Sequence, residues 1–259
     1  MTRVMAAAWM MAALGLTGCT TRTFYADSDK PVPTQKRENS EAAQARVSLG
    51  MKYLQSGNNE LAKGNLVKAL ELAPQSAVAH YGMAYYYQTV KEHDLAHEYY
   101  QLAVNLESDN GNIRNGFGAY LCDIGEYGKA DEQFIAAIKS KSYTRVAETY
   151  ENMATCAKRA GNPDKAKEYF ERALAHSSLR AKPLLELASM AIDLDNAEEA
   201  ERYLDVFHKT YVATAESAYV GVRLANLLHD PLMMQKYGQI LTNQFPASNE
   251  AKQYMLDQF

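Results

Sequence analysis

From about residue 42 onward, small and bulky apolar residues recur along the chain at an interval of 34 residues. Two series of alanines show the interval: Ala62, Ala96 and Ala130, and Ala69, Ala103 and Ala137. Each unit also has a bulky residue between its alanines and a small residue before them: Leu66, Tyr100 and Phe134, and Gly50, Ala84 and Gly118. Small residues let two helices approach while bulky ones fill the space between them. Each unit is therefore predicted to form two antiparallel helices.

The pattern continues through three further units, and the last of them is weaker. Ala166 follows Ala130 by 36 residues, which indicates an insertion of two residues near "SYTR", and Met234 and Gly238 depart from the pattern in the sixth unit. The period is that of the tetratricopeptide repeat, whose units bury their apolar faces only by stacking. The sequence predicts an all-α, right-handed solenoid of six such helix-turn-helix repeats over residues 42–259, with "ASNEAKQYMLDQF" as a capping helix.

A short apolar segment precedes the repeats. Residues 1–18 contain one cation, Arg3, followed by an apolar run and then by small residues directly before Cys19. This order is typical of a secretory signal peptide. The run is shorter than the roughly 20 residues needed to span a bilayer. The residues "LTGC" resemble the bacterial lipobox, and this resemblance implies that Cys19 is lipidated and becomes the mature amino terminus. The alternative is an ordinary secreted protein that is cut near the same place.

The segment between this cysteine and the repeats is polar. Residues 19–41 contain Pro31 and Pro33 and show no sustained apolar periodicity, so they are predicted to form a lipidated amino terminus and a flexible tether. Thr20 follows the cysteine, where an Asp would resemble an inner-membrane retention signal of this lipoprotein class. The resemblance therefore implies an outer-membrane lipoprotein that faces the periplasm.

Charge and motif content argue against several function classes. The net charge is only −4 and no polybasic block occurs, so nucleic acid is not expected as a partner. His93 and His97 could share a helix face and hold zinc, but Asp94 stands where the metalloprotease motif needs Glu, and no third ligand is near. We expect no catalytic residue, no metal, no small-molecule substrate and no cofactor apart from the lipid on Cys19.

Two cysteines fall in adjacent repeats. Cys122 and Cys156 are 34 residues apart, each in the first helix of its unit. In an oxidising compartment such as the periplasm a disulfide between neighbouring helices is chemically plausible, and we predict one here. The alternative is a pair of buried free thiols that act as small apolar fillers.

The first helices of a tetratricopeptide solenoid line a concave groove that commonly binds partners. In the first three repeats the candidate groove residues are apolar or aromatic, with two amides: Val47, Met51, Leu54, Val78, Tyr81, Tyr85, Asn112 and Asn115. We expect these residues to hold an apolar segment of another protein. Later repeats place charged residues there. The alternative is that the apolar positions of the first repeat are covered by the tether or by neighbouring helices.

A lipobox, a short polar tether and six consecutive repeats in this order resemble the PilF/PilW pilotin family of type IV pilus lipoproteins. The stretch from Ala45 to Gln88 and the stretch "NIRNGFGAYLCDIGEYGKADEQFIAAI" carry the resemblance, together with the cysteine pair. It implies a non-enzymatic protein that binds the secretin subunit of the pilus machinery. Such a protein brings the secretin to the outer membrane and promotes its multimerisation, and so supports pilus biogenesis and twitching motility.

Two other functions fit parts of the pattern. One is a lipoprotein adaptor for another envelope machine, such as outer-membrane β-barrel assembly or the recruitment of peptidoglycan hydrolases. The other is a periplasmic hydrolase that uses His93 and His97 with a metal. Metal analysis of the purified protein separates the second from the first.

Overall fold

The structure, a computed structural model, describes residues 34–257. The predicted signal peptide, Cys19 and most of the predicted tether lie outside the described residues. Within residues 34–257 all regular secondary structure is α-helical, which confirms the predicted fold class. The helices are α1 (Thr34–Gln55), α2 (Asn59–Leu72), α3 (Ala77–Thr89), α4 (His93–Leu106), α5 (Gly111–Asp123), α6 (Tyr127–Lys139), α7 (Val146–Arg159), α8 (Pro163–His176), α9 (Ala181–Asp193), α10 (Ala197–Thr210), α11 (Ala215–Leu228), α12 (Pro231–Gln244) and α13 (Asn249–Leu256).

The helices form six antiparallel pairs, α1/α2 to α11/α12, followed by α13. The connection between successive pairs is four residues long at 73–76, 107–110, 177–180 and 211–214 but six residues long at 140–145. The insertion of two residues predicted near "SYTR" is therefore confirmed, and it lies between the third and the fourth pair. None of the helices among residues 34–257 is both long and apolar enough to cross a bilayer.

In the first and third pairs a small residue of one helix meets a bulky residue of the other, as the period requires. The side chain of Phe134 on α6 lies against the bare Cα of Gly118 on α5, where a β-carbon would come 2.7 Å from its ring. Leu66 packs against Gly50 in the same way, with a distance of 2.8 Å to the position of a β-carbon. Leu66 and Phe134 are fully buried, and so are the alanines of the 34-residue series. In the first and third pairs a glycine thus allows the two helices to lie this close together.

The turn inside each pair contains one residue in the left-handed backbone region. The six residues are equivalent by position: Gly57, Lys91, Gly125, Gly161, Asp195 and His229. Glycine adopts this conformation without a steric penalty, whereas a side chain costs roughly 1–2 kcal/mol there. Three of the six turns therefore retain a local strain that the packing of their helices must offset.

The first helices lie on the inner side of the curved solenoid. Helix α1 contacts α3, α3 contacts α5, α5 contacts α7 and α9 contacts α11. Within residues 34–257 no comparable contact joins the second helices of successive pairs. Because the first helices are the closer together, they form the concave face.

The first helix begins earlier than the sequence pattern predicts. Helix α1 starts at Thr34 and runs for 22 residues, so residues 34–41 are helical and not part of an extended tether. Glutamine, lysine, arginine and glutamate are good helix formers and predominate in residues 34–41, although the segment lacks an apolar stripe. The tether can therefore reach no further than residue 33.

The sixth pair is packed differently from the others. Gly221 on α11 faces the ring of Tyr237 on α12, where a β-carbon would come 2.5 Å from the ring. Gly238 stands 34 residues after Leu204, and its space is filled by the hydroxyl end of Tyr254 from α13. Gly238 stands at a repeat position that holds a bulky residue in the other units. The capping helix docks at this position, because Tyr254 fills the space that the missing side chain leaves.

Candidate partner-binding groove

The predicted groove residues of the first repeat are only partly accessible. Val47 and Leu54 are 5% and 6% exposed and belong to the core of the first two pairs. A Cγ of Val47 lies 3.3 Å from the position that a β-carbon of Gly82 on α3 would occupy. Val47 and Leu54 are therefore covered within the fold and offer little surface to a partner, and at Val47 the covering helix is α3.

Tyr81 is also largely used within the fold. Its ring and hydroxyl lie against Gly116 on α5, and the ring meets Tyr100 edge to face with 5.8 Å between centroids. Burial raises the pKa of the Tyr81 phenol, and the neighbouring Tyr85 raises it further. Tyr81 is half-buried, and its ring supports the groove floor between α3 and α5.

Three predicted residues remain available on the inner face of the first two pairs. Met51, Val78 and Tyr85 are half-buried and pack with one side on the core beneath them. We call these three residues the apolar section of the groove. Apolar side chains held rigidly at the base and open on one side are typical of a contact site for another protein.

The two predicted amide residues, Asn112 and Asn115, differ in accessibility. Asn112 is exposed, and its side-chain oxygen accepts a hydrogen bond from the Arg145 guanidinium at 3.3 Å. Asn115 is buried, and its side-chain oxygen accepts a hydrogen bond from Nδ2 of Asn152 on α7 at 3.1 Å. Asn112 is accessible to a partner, whereas the oxygen of Asn115 is committed to the contact between α5 and α7.

The two-residue insertion contributes side chains that sequence reasoning missed. The ring of Tyr143 lies over Gly111 at the start of α5, and its hydroxyl is 2.6 Å from Oγ1 of Thr149. Arg145 pairs with Glu148 and also donates to Asn112. The longer connection thereby forms an edge of the groove beside Tyr81. The interruption of the 34-residue period was the signal that this connection is unusual.

The remainder of the inner face is a series of polar bridges between successive first helices, which we call the polar section. Asp123 on α5 accepts hydrogen bonds from Gln88 on α3 at 3.1 Å and from Arg159 on α7. The bridges between α7 and α9 and between α9 and α11 continue the series: Glu151 with Arg180, Thr155 with Lys182, Lys158 with Glu186, and Ser189 and Asp193 with Arg223. The charged character predicted for the later repeats is therefore present, and most of these charges are paired.

The cysteine pair lies at the junction that the insertion disturbs. Cys122 on α5 and Cys156 on α7 are joined by a disulfide, with their Cα atoms 5.7 Å apart. That separation is inside the range of roughly 4.4–6.8 Å found for disulfides. The geometry allows the bond, and its formation in the cell stays a prediction that is tested below.

The histidines proposed as possible metal ligands face aromatic rings. The His97 imidazole meets Phe117 with 5.4 Å between ring centroids, and its Nε2 is 2.9 Å from the amide nitrogen of Gln101. His93 lies 6.3 Å from Tyr120, whose hydroxyl donates to the His93 carbonyl at 2.7 Å. Among residues 34–257 no group of three or more histidine, cysteine or acidic side chains could hold a metal ion.

Comparisons with known proteins agree with this architecture. Sequence models of the tetratricopeptide repeat match residues 43–76 and 147–178. The chain is 33% identical to the type IV pilus assembly protein PilF of Pseudomonas aeruginosa over 254 residues, which is 98% of this chain and 99% of that protein. The chain belongs to the PilF family of type IV pilus assembly proteins.

Solved structures show the same fold. The structure of Pseudomonas aeruginosa PilF matches with a TM-score of 0.73 at 32% identity, covering 85% of this chain and 99% of that one. PilW, a widely conserved type IV pilus biogenesis factor, matches with a TM-score of 0.72 at 23% identity, covering 82% and 98%. The chain is thus a tetratricopeptide-repeat protein of type IV pilus biogenesis, in a family of adaptors rather than of enzymes.

Proposed function

We propose that this protein is an outer-membrane lipoprotein that binds the secretin of the type IV pilus and promotes its localisation and multimerisation in that membrane. The observation that carries the proposal is the 33% identity with a pilus assembly protein over 98% of the chain. The leader supports the membrane part of the proposal, because "LTGC" ends at a cysteine directly behind an apolar run. The protein would act as an anchored adaptor and without chemistry of its own.

The lipid anchor supplies the mechanism of delivery. Two or more acyl chains on Cys19 hold a protein firmly at a membrane, since each buried methylene contributes roughly 0.8 kcal/mol. A client bound to the anchored solenoid is kept near that membrane, and its local concentration rises there. Higher local concentration favours assembly of secretin subunits into a multimer over their loss to the surrounding compartment.

The apolar section is the part of the groove that fits the client best. Met51, Val78 and Tyr85 offer apolar surface that is rigid at its base, and tyrosine gives a large contact area at modest entropic cost. The exposed Asn112 can accept or donate a hydrogen bond at the rim beside them. An apolar segment of the secretin would thus bury its side chains on the first two pairs and meet polar groups toward the third.

The test combines a deletion strain with a groove variant. In the deletion strain secretin multimers that resist denaturant should fall relative to monomers, and the wild-type gene should restore them. The double variant Met51→Ala/Tyr85→Ala should restore them poorly, since truncating two contact anchors costs roughly 1–4 kcal/mol in binding. The matched control is Tyr127→Ala/Met255→Ala, which removes the same residue types at exposed positions of α6 and α13 and should restore multimers fully.

The outcomes separate this function from its rival. Loss of the general complement of outer-membrane β-barrels in the deletion strain, with secretin multimers retained, would assign the protein to another envelope machine. Full rescue by the Met51→Ala/Tyr85→Ala variant would show that the client binds elsewhere on the solenoid.

A further inference from the structure

A pocket closes the groove at its carboxy-terminal end. It has a volume of about 370 Å³ and lies between the inner helices α9 and α11 and the capping helix α13. Leu185, Tyr219 and Val220 form its apolar and aromatic walls, and Glu186, Glu216 and Glu250 are among its polar lining. The pocket is on the same inner face as the apolar section, three pairs further along the solenoid.

The cationic groups around this pocket are already engaged. Arg223 is itself part of the pocket lining, and it donates to Ser189 and Asp193, each at 2.6 Å, so that Asp193 compensates its charge. Lys158 pairs with Glu186 at 2.5 Å. Lys182 donates to the hydroxyl of Thr155 at 2.8 Å. These contacts compensate Glu186 and leave two carboxylates of the lining to consider.

Glu216 and Glu250 have no ion pair and no side-chain hydrogen bond with the residues that the structure describes. Glu216 is exposed on one side, and its partial desolvation raises its pKa; the facing carboxylates Glu186 and Glu250 raise it further, while Lys182 and Lys158 act in the opposite direction. Two carboxylates without an ion pair thus line one apolar-walled pocket. Neighbouring carboxylates repel each other, and a cation held between them relieves that repulsion.

The walls indicate what kind of cation fits. The carboxylates do not form a cluster that could hold a metal ion. Tyr219 is fixed in place, because its hydroxyl donates to Asp257 at 2.6 Å, and burial together with that carboxylate raises the pKa of Tyr219 to about 12. A rigid aromatic wall with apolar neighbours suits a side chain that has an aliphatic stem and a planar cationic head.

We infer that this pocket binds an arginine side chain of a partner polypeptide that lies along the inner face. The aliphatic stem packs on Leu185 and Val220, the guanidinium lies against the Tyr219 ring, and Glu216 and Glu250 accept its hydrogen bonds. The solenoid then has two separate contact points, the apolar section for apolar side chains and this pocket for a basic one. The inference does not depend on the identity of the client, since it concerns side-chain chemistry alone.

The test uses methyl-labelled protein of the full mature chain and the blocked tripeptide Ac-Ala-Arg-Ala-NH₂ as the probe. Because Leu185 and Val220 are buried pocket walls, their methyl resonances should shift on titration, while those of Leu66 at the far end stay in place. The same peptide with citrulline, which is neutral and of the same shape as arginine, should bind about tenfold more weakly, because charge-assisted hydrogen bonds are lost. Added salt should lower the affinity of the arginine peptide for the pocket, since part of the attraction is electrostatic.

The variant Glu216→Gln/Glu250→Gln should also lose about tenfold in affinity for the arginine peptide. Glu132→Gln, on exposed surface of α6, removes a like charge and should leave the affinity unchanged. Three results would overturn the inference: equal shifts with the citrulline peptide, equal affinity of the double variant, or the same shifts with calcium chloride alone. The citrulline comparison is made on wild-type protein, so it stands even if the variant folds poorly.

Discussion

The phenol of Tyr81 on α3 rests against Gly116 on α5, where a β-carbon would come 2.5 Å from the tyrosine hydroxyl. The contact joins the second and third pairs on the inner face. It also explains why a glycine stands in the interior of α5, where it lowers helix propensity. The position is a packing requirement between two repeats.

Gly116→Ala should destabilise the protein by roughly 1–3 kcal/mol, because the new methyl group overpacks the junction of α3 and α5. The matched control is Gly64→Ala on α2, where a β-carbon would meet nothing within 4 Å. That variant should gain about 0.5–1 kcal/mol from helix propensity alone. Urea denaturation measures both. A stabilised Gly116→Ala variant would show that Tyr81 moves aside freely.

Lys91→Gly should stabilise the protein by about 1 kcal/mol or more, since Lys91 holds a φ of 64° in the turn between α3 and α4. The reverse change at the equivalent turn, Gly125→Ala, places a side chain where φ is 83° and should cost a similar amount. No atom lies within 4 Å of a β-carbon at Gly125, so backbone conformation alone is tested there. Thermal melts that rank the two variants in the opposite order would contradict the account of these turns.

Removal of the disulfide should lower the free energy of unfolding by about 2–4 kcal/mol, because the bond restricts the unfolded chain. The variant is Cys122→Ser/Cys156→Ser, compared with wild-type protein in the presence and absence of reductant. Reductant should bring wild type close to the variant and leave the variant unchanged. Protein prepared from its natural compartment and denatured without reductant should show no reactive thiol at these positions, and two reactive thiols would rule the bond out.

Stability should fall as the pH drops below about 6.5, the usual pKa of an unfolded histidine, partly because of His208. Burial lowers the pKa of His208 in the folded protein, and Lys236 lowers it further, while Asp205 opposes them. The unfolded chain then binds the proton at a higher pH than the folded chain, so acid favours unfolding until the pH passes the folded pKa.

The variant His208→Gln isolates this contribution. The free energy of unfolding of wild type relative to the variant should be constant above about pH 7. It should decrease as the pH falls below about 6.5. His93→Gln, at an exposed position, is the matched substitution. Urea titrations at several pH values measure the difference, and parallel curves for wild type and His208→Gln would remove His208 from the explanation.

Cys19→Ser should release the protein from the membrane fraction, because the proposed acyl chains have no other attachment point. Mass spectrometry of the amino-terminal peptide should find the acylated cysteine in wild type and none in the variant. Wild-type protein recovered in the periplasmic wash with an unmodified Cys19 would contradict the anchor. The Cys19→Ser variant should still fold, since its repeats begin after this segment.

The period of the sequence predicts the pairing of helices well, because each contact within a pair needs one small and one bulky residue at fixed spacing. Gly118 and Phe134 meet as that spacing requires. The docking of Tyr254 into the space at Gly238 could not be predicted in this way. Its partner belongs to a helix outside the repeat, so no repeated spacing describes the contact.

The groove could be predicted in position but not in accessibility. Repeat positions indicate which side of a helix faces inward, and Asp123 and Arg159 do meet there. Whether an inward residue is free depends on how closely the next first helix approaches. Gly82 lets α3 come close to α1, and Val47 is buried as a result. Periodicity does not report that distance.

Within residues 34–257 the helices make contacts with helices close in sequence, since each pair packs on its neighbours. A chain built in this way can fold from its amino terminus while its remainder is still emerging from a ribosome or a translocation channel. Even the covalent link follows this order, because Cys156 emerges one repeat behind Cys122. Each folded pair provides the surface on which the next pair packs, so folding can begin before the last residue has been synthesised.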